Sequence, residues 1–118
     1  AGNASIIVPG QKTSLLATEL YQLLETSDVP AGYINILTTK QNSLNKILSE
    51  HENIDGIWFF SENNNERLKV IQSTTSNLKR SWCPQSKNLD WSSKEEDFLE
   101  EFLYQSTQVK NIWIPYGE

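Results

Sequence analysis

A chain of 118 residues, 37% hydrophobic and 10% aromatic, is long enough for one hydrophobic core and too short for two. No apolar run approaches the roughly 18 residues of a membrane span, Cys83 is alone, and a net charge of −5 with ten scattered basic residues opposes attraction to phosphate backbones. These features exclude a membrane protein, a disulfide scaffold, a thiolate-rich zinc site and a nucleic-acid partner; they imply a soluble cytoplasmic protein, and Ala1 with no methionine anywhere implies a processed chain or a piece of a longer one.

Residues 4–8 (Ala-Ser-Ile-Ile-Val) are a β-branched run ended by Pro9-Gly10, which predicts a first strand. From Lys12 to Thr26, Leu16, Leu20, Leu23 and Leu24 recur at helical spacing before Pro30 and Gly32 turn the chain. Residues 33–38 are apolar apart from Asn35 and Thr38, the pattern of a strand covered on both faces. Ser43 is the expected N-cap of a second helix carrying Leu44, Ile47 and Leu48.

Asp55-Gly56 precedes a third strand at residues 57–60. A third helix is predicted over residues 62–75, a fourth strand over 78–83 and a loop to Trp91. Ser92 and Ser93 each stand three residues before a glutamate, giving two overlapping capping-box candidates for a fourth helix with Phe98, Leu99, Phe102 and Leu103 on one stripe. Asn111-Ile-Trp-Ile114 supplies a last strand. Strands and helices in alternation imply right-handed crossovers and a mostly parallel, helix-covered sheet of five strands.

Four segments follow one another in a recognisable order: Gly2-Asn3 to Pro9, Asp28-Val-Pro-Ala-Gly-Tyr-Ile-Asn-Ile-Leu-Thr, His51-Glu-Asn-Ile-Asp-Gly-Ile-Trp-Phe, and Ser76-Asn-Leu-Lys-Arg80. Together they resemble the nucleotide-binding half of an aldehyde dehydrogenase. The resemblance implies an α/β, three-layer Rossmann-like fold with helices on both faces of the sheet. It also implies that residues 1–118 are a single nucleotide-binding domain from the C-terminal part of a longer protein.

The residues that the family uses for its cofactor are replaced. Where the family's first strand ends in Lys-Pro-Ser-Glu, this chain has Val8, Pro9, Gly10 and Gln11, so the cation and the carboxylate that contact the nucleotide are both gone. Where the family has Phe-Thr-Gly-Ser and a later glycine against the pyrophosphate, Phe59-Phe60-Ser61-Glu62 and Glu66 stand instead. A carboxylate at a helix N-terminus satisfies the dipole itself and repels phosphate.

The catalytic positions are replaced as well. Pro84 or Gln85 lies opposite the glutamate that activates water, and Gln105-Ser-Thr-Gln-Val-Lys110 holds no sulfur where the nucleophilic cysteine belongs. Cys83 comes about two dozen residues too early and is expected to be a half-buried strand-end residue. The departures resemble the shortened second unit of the two-domain aldehyde dehydrogenases called family sixteen. They imply a catalytically inactive domain without a cofactor, acting as a structural or interaction module on the rest of a longer dehydrogenase-like chain or in a homo-oligomer. The alternative is the NAD(P)-binding part of an oxidoreductase whose catalytic residues lie elsewhere; a third is an unrelated α/β ligand-binding protein of flavodoxin-like shape.

His51, between Glu50 and Glu52, is expected in a solvent-facing loop. Glu95, Glu96, Asp97, Glu100 and Glu101 are expected around the polar face of a helix and not as metal ligands. Trp58, Trp82 and Trp113 fall in predicted strands and are expected in the core. Trp91, with Ile112, Trp113, Ile114 and Tyr116 at the end of the chain, is a candidate interface residue.

Overall fold

The computed structural model of the chain describes residues 2–117. These fall into two compact units, residues 4–90 and residues 91–117 with 2–3. The larger unit runs β1 (Ser5–Ile7), a 3-10 turn (Gln11–Thr13), α1 (Ser14–Glu25), β2 (Ile34–Ile36), α2 (Gln41–Glu50), β3 (Gly56–Trp58), α3 (Asn64–Thr74), a second 3-10 turn (Thr75–Asn77), β4 (Arg80–Trp82) and a third (Ser86–Asn88). β1 pairs in parallel with β2, Ser5 opposite Ile34, and β3 in parallel with β4, Gly56 opposite Arg80. The alternation of parallel strands and helices agrees with the sequence.

The predicted five-stranded sheet does not. Among the described residues the strands form two separate two-stranded ladders, and residues 107–117 hold no strand. A strand exists only where a neighbouring edge takes up its N–H and C=O groups. The run at 111–114 lacks such a ladder, and Trp113, expected in the core, is 90% exposed. What stands of the expected architecture is an α/β fragment with parallel strands and four α-helices among the described residues.

Helix starts also differ. α2 begins at Gln41, and Ser43, expected to cap it, lies inside the first turn with its N–H donating to Lys40 O at 3.1 Å. α4 (Glu96–Ser106) is preceded by Glu95; the Ser93 hydroxyl accepts from Glu95 N at 3.2 Å, which forms a short turn before the helix in place of a capping box. Among the described residues, α3 alone has a side-chain cap, from Asn63.

The turn into β2 needs a glycine. Tyr33 N donates to Pro30 O at 3.4 Å, which puts Gly32 at the third position of the turn with φ of 89°.

Small side chains let α2 and α3 pack closely. Ser49, Val70 and Thr74 are buried, and both hydroxyls donate within their own helices, Ser49 to Asn45 O at 2.7 Å and Thr74 to Ile71 O at 2.7 Å. Lys79, only 8% exposed, extends its ammonium to the end of α2 and donates to Leu48 O at 2.8 Å and His51 O at 2.7 Å. These carbonyls lack helical partners, and a cation there also suits the helix dipole.

The chain leaves α3 through a left-handed residue that is not glycine. Leu78 has φ of 53°, and Lys79 N closes back on Thr74 O at 3.2 Å, the long bond of a Schellman cap. Its side chain is 92% exposed, so it contributes no packing that offsets the backbone strain. Leu78→Gly is expected to raise the unfolding free energy by about 1 kcal/mol, read as a higher urea midpoint with unchanged slope. A loss of stability would show that the leucine is held by a contact.

In the smaller unit, the Phe98 and Phe102 rings of α4 meet at a tilt with centroids 5.0 Å apart, and the Trp91 ring lies edge-on 6.0 Å from Phe102. Leu99 and Leu103, expected on the same stripe, are exposed. No helix among the described residues is long and apolar enough to cross a membrane.

Candidate functional site

In parallel α/β units, ligands meet the carboxyl ends of the strands. Two such regions exist in the larger unit. Beyond β1 and β2 lies an open cleft of about 300 Å3 lined by Pro9, Gly10, Gln11, Ser14, Thr38, Thr39 and Lys40. Val8, at the end of the same strand, is half-buried. Gln11 faces solvent at the start of the 3-10 turn, and Lys40 is the one cation of the cleft.

Beyond β3 the chain enters α3, and here the protein's own groups fill the helix entrance. The Asn63 carboxamide oxygen accepts from Asn65 N at 3.0 Å and Glu66 N at 3.4 Å. Ser61 Oγ donates to Glu66 Oε2 at 3.1 Å and accepts from Asn63 N at 3.1 Å. Glu62 Oε1 accepts from Lys87 N at 2.5 Å, which fastens the entrance to the turn after β4. Arg67 Nε donates to Cys83 O at 2.8 Å across the same gap. Ser61, Glu62 and Glu66 are therefore brought together, whereas Val8 and Gln11 belong to the region beyond β1.

The third helix, expected from residue 62, begins at Asn64. Asn63 with Glu66 three residues on has the spacing of an N-terminal cap, and that signal could have placed the helix start.

β3 and β4 carry an aromatic cluster, Trp58 5.1 Å and Phe60 5.5 Å from Trp82, all edge to face. Cys83, just beyond β4, is half-buried. Burial raises its thiol pKa against the opposing pull of the Arg67 guanidinium and a hydrogen bond from the Phe59 backbone. A nucleophilic thiol requires the reverse shift. Pro84 and Gln85, opposite the family's water-activating glutamate, are half-buried, and Gln85 Oε1 accepts from Asn88 Nδ2 at 3.3 Å.

In the smaller unit, Gln105 Nε2 donates to Glu101 at 2.9 Å, and Gln108 lies in the exposed segment after α4. Among the described residues no three His, Cys, Asp or Glu side chains converge in a way that could hold a metal ion. His51 is exposed, with Nδ1 accepting from Asn53 N at 3.2 Å.

The model of the aldehyde dehydrogenase family matches residues 1–84. The chain belongs to that family. It is 32% identical over 82 residues to the NADP/NAD-dependent aldehyde dehydrogenase PuuC of Escherichia coli K12, a match covering 70% of this chain and 17% of PuuC. A crystal structure from Burkholderia cenocepacia, assigned as an aldehyde dehydrogenase, superposes with a TM-score of 0.67 at 25% identity, over 72% of this chain and 17% of that one. The chain thus spans about a sixth of the length of these relatives. The matched segment of this family member holds both strand-end regions, while α4 and the segment after it lie beyond residue 84.

Proposed function

We propose that this chain is a catalytically inactive aldehyde-dehydrogenase-family domain that acts as a structural or interaction module, of the kind found in the shortened second unit of the family-sixteen enzymes. The observation that carries this reading is the entrance to α3. The Asn63 side chain takes the N–H groups of Asn65 and Glu66, and the carboxylates of Glu62 and Glu66 stand at the same entrance, which the family resemblance assigns to the pyrophosphate. Two negative groups on a helix N-terminus repel a third. Titration calorimetry with NAD and NADP is expected to give no saturable heat at micromolar concentrations.

A second reading has one observation in its favour. The cleft beyond β1 and β2 lies at the carboxyl ends of two parallel strands and offers Lys40 as a cation. On that reading the chain is the cofactor-binding part of an NAD(P)-dependent oxidoreductase, as the name of PuuC suggests, with its catalytic residues elsewhere. Micromolar binding that is lost in Lys40→Ala would establish it and overturn the first. Under the first reading the partner is the rest of a longer dehydrogenase-like chain or another copy, met through Trp91, Ile112, Trp113, Ile114 and Tyr116, all exposed.

A further inference from the structure

Asp55-Gly56 is the one place in the chain where a glycine follows an aspartate or an asparagine. The backbone nitrogen of the following residue can attack an aspartyl carboxyl group, and a side chain on that residue is what obstructs the approach. Glycine has none. Asp28, Asp90 and Asp97 are followed by Val29, Trp91 and Phe98, whose bulk hinders the same attack.

The fold leaves the pair open. Asp55 and Gly56 are both exposed at the entry to β3, where Asp55 O accepts from Arg80 N at 3.2 Å. Because the peptide bond is trans, a carbonyl turned toward β4 puts the Gly56 N–H on the opposite flank of β3, where no strand pairs with it among the described residues. The ladder therefore does not hold the nucleophile.

We infer that Asp55-Gly56 is a site of spontaneous aspartyl isomerisation in the folded protein. Gly56 N bonds to Asp55 Cγ as a carboxyl C–O bond breaks, and the hydroxyl leaves with the amide proton as water. Water then opens the resulting succinimide. Hydrolysis at Cγ returns aspartate, whereas hydrolysis at the former backbone carbonyl leaves isoaspartate, with the chain routed through Cβ and Cγ and a free α-carboxylate.

The position gives this reaction a structural consequence. Isoaspartate inserts a methylene into the backbone at the first rung of the β3–β4 ladder, and the carbonyl that accepts from Arg80 N becomes part of a carboxylate. The edge-to-face packing of Trp58 on Trp82 at 5.1 Å depends on the register of that ladder.

Ageing the 118-residue chain under native conditions at neutral pH, followed by peptide mapping with electron-transfer fragmentation, is expected to show isoaspartate at position 55. Its rate is expected to lie within about tenfold of that of a synthetic peptide spanning residues 51–60, a barrier nearly unchanged by folding. Gly56→Ala is expected to slow the reaction at least about tenfold. The alanine fits the fold, since its Cβ would meet Arg80 O at 3.7 Å and Arg80 Cβ at 3.9 Å, ordinary contacts. The isoaspartyl form, separated from the unmodified chain, is expected to unfold at a lower urea concentration. A folded chain that reacts more than about tenfold slower than the peptide, an unchanged rate in Gly56→Ala, or equal yields at Asp28, Asp90 and Asp97 would each overturn the inference.

Discussion

Replacing Lys79 with alanine is expected to lower the unfolding free energy by about 3 kcal/mol, within the range for losing hydrogen bonds from a charged donor together with packed methylenes. The ammonium is the donor for two carbonyls at the end of α2, Leu48 O and His51 O, and its alkyl stem is buried beside the α2–α3 contact. Truncation leaves both acceptors without this donor, at a helix end where Leu48 is half-buried and His51 is exposed. Lys79→Met keeps the stem and removes only the donor, so it is expected to cost about 2 kcal/mol; the difference between the variants isolates packing. Urea unfolding followed by tryptophan fluorescence measures both, and a loss below about 0.5 kcal/mol for alanine would show that the cap is dispensable.

The same lysine has a pH signature. Burial lowers its pKa, and Asp55 opposes the shift only in part. Between the lowered folded value and the unfolded value of 10.5, the unfolded chain holds more protons, so this group's contribution to stability grows as pH rises through that window and is lost as pH falls through the folded pKa. Tyr21, whose pKa is raised by its hydrogen bond to Glu25 and by that carboxylate's charge, works in the opposite sense: its contribution is present below 10.0 and is lost as pH rises through the folded value. The alkaline rise is expected to vanish in Lys79→Met.

Aldehyde oxidation by this chain is expected to be absent at saturating aldehyde and NAD, and Gln108→Cys is expected not to create it. Acyl transfer to a thiol requires a low-pKa sulfur, a base that activates water and a hydride acceptor beside them. Adding sulfur at position 108 supplies one of the three. Pro84 and Gln85 carry no carboxylate, and the α3 entrance holds Glu62 and Glu66. NADH formation that scales with the unmodified protein and disappears in Cys83→Ser would refute this, and would make the half-buried Cys83 a nucleophile despite its raised pKa.

The order of elements was legible because it depends on local pattern: β-branched runs at β1 and β2, leucines at helical spacing in α1, glycine at position 32. The family was legible from four ordered segments. The fifth strand was not, because residues 111–114 have the composition of a strand and no edge to pair with. The start of α4 was misplaced because Ser93 has the right spacing to Glu96 and uses its hydroxyl one residue earlier, on Glu95 N. At the site, identities at 61, 62 and 66 pointed to the α3 entrance, but the bond from Lys87 N to Glu62 joins residues 25 apart and leaves no mark in either neighbourhood. Lys79 was missed for the same reason: its partners lie 28 and 31 residues away.

Two ladders of two strands each leave every strand with one flank of its backbone outside the ladder. Such flanks can recruit an extended segment of any chain, the first step toward fibrillar stacking. Here the hazard is limited by length and by proline. Each strand has three residues, too few for a six-residue zipper, and Pro9 and Pro84 follow close behind β1 and β4, where a missing N–H stops a growing ladder. Replacing those two prolines would lengthen the very segments that the fold keeps short, so they protect the protein against a misassembled state as well as shaping its folded one.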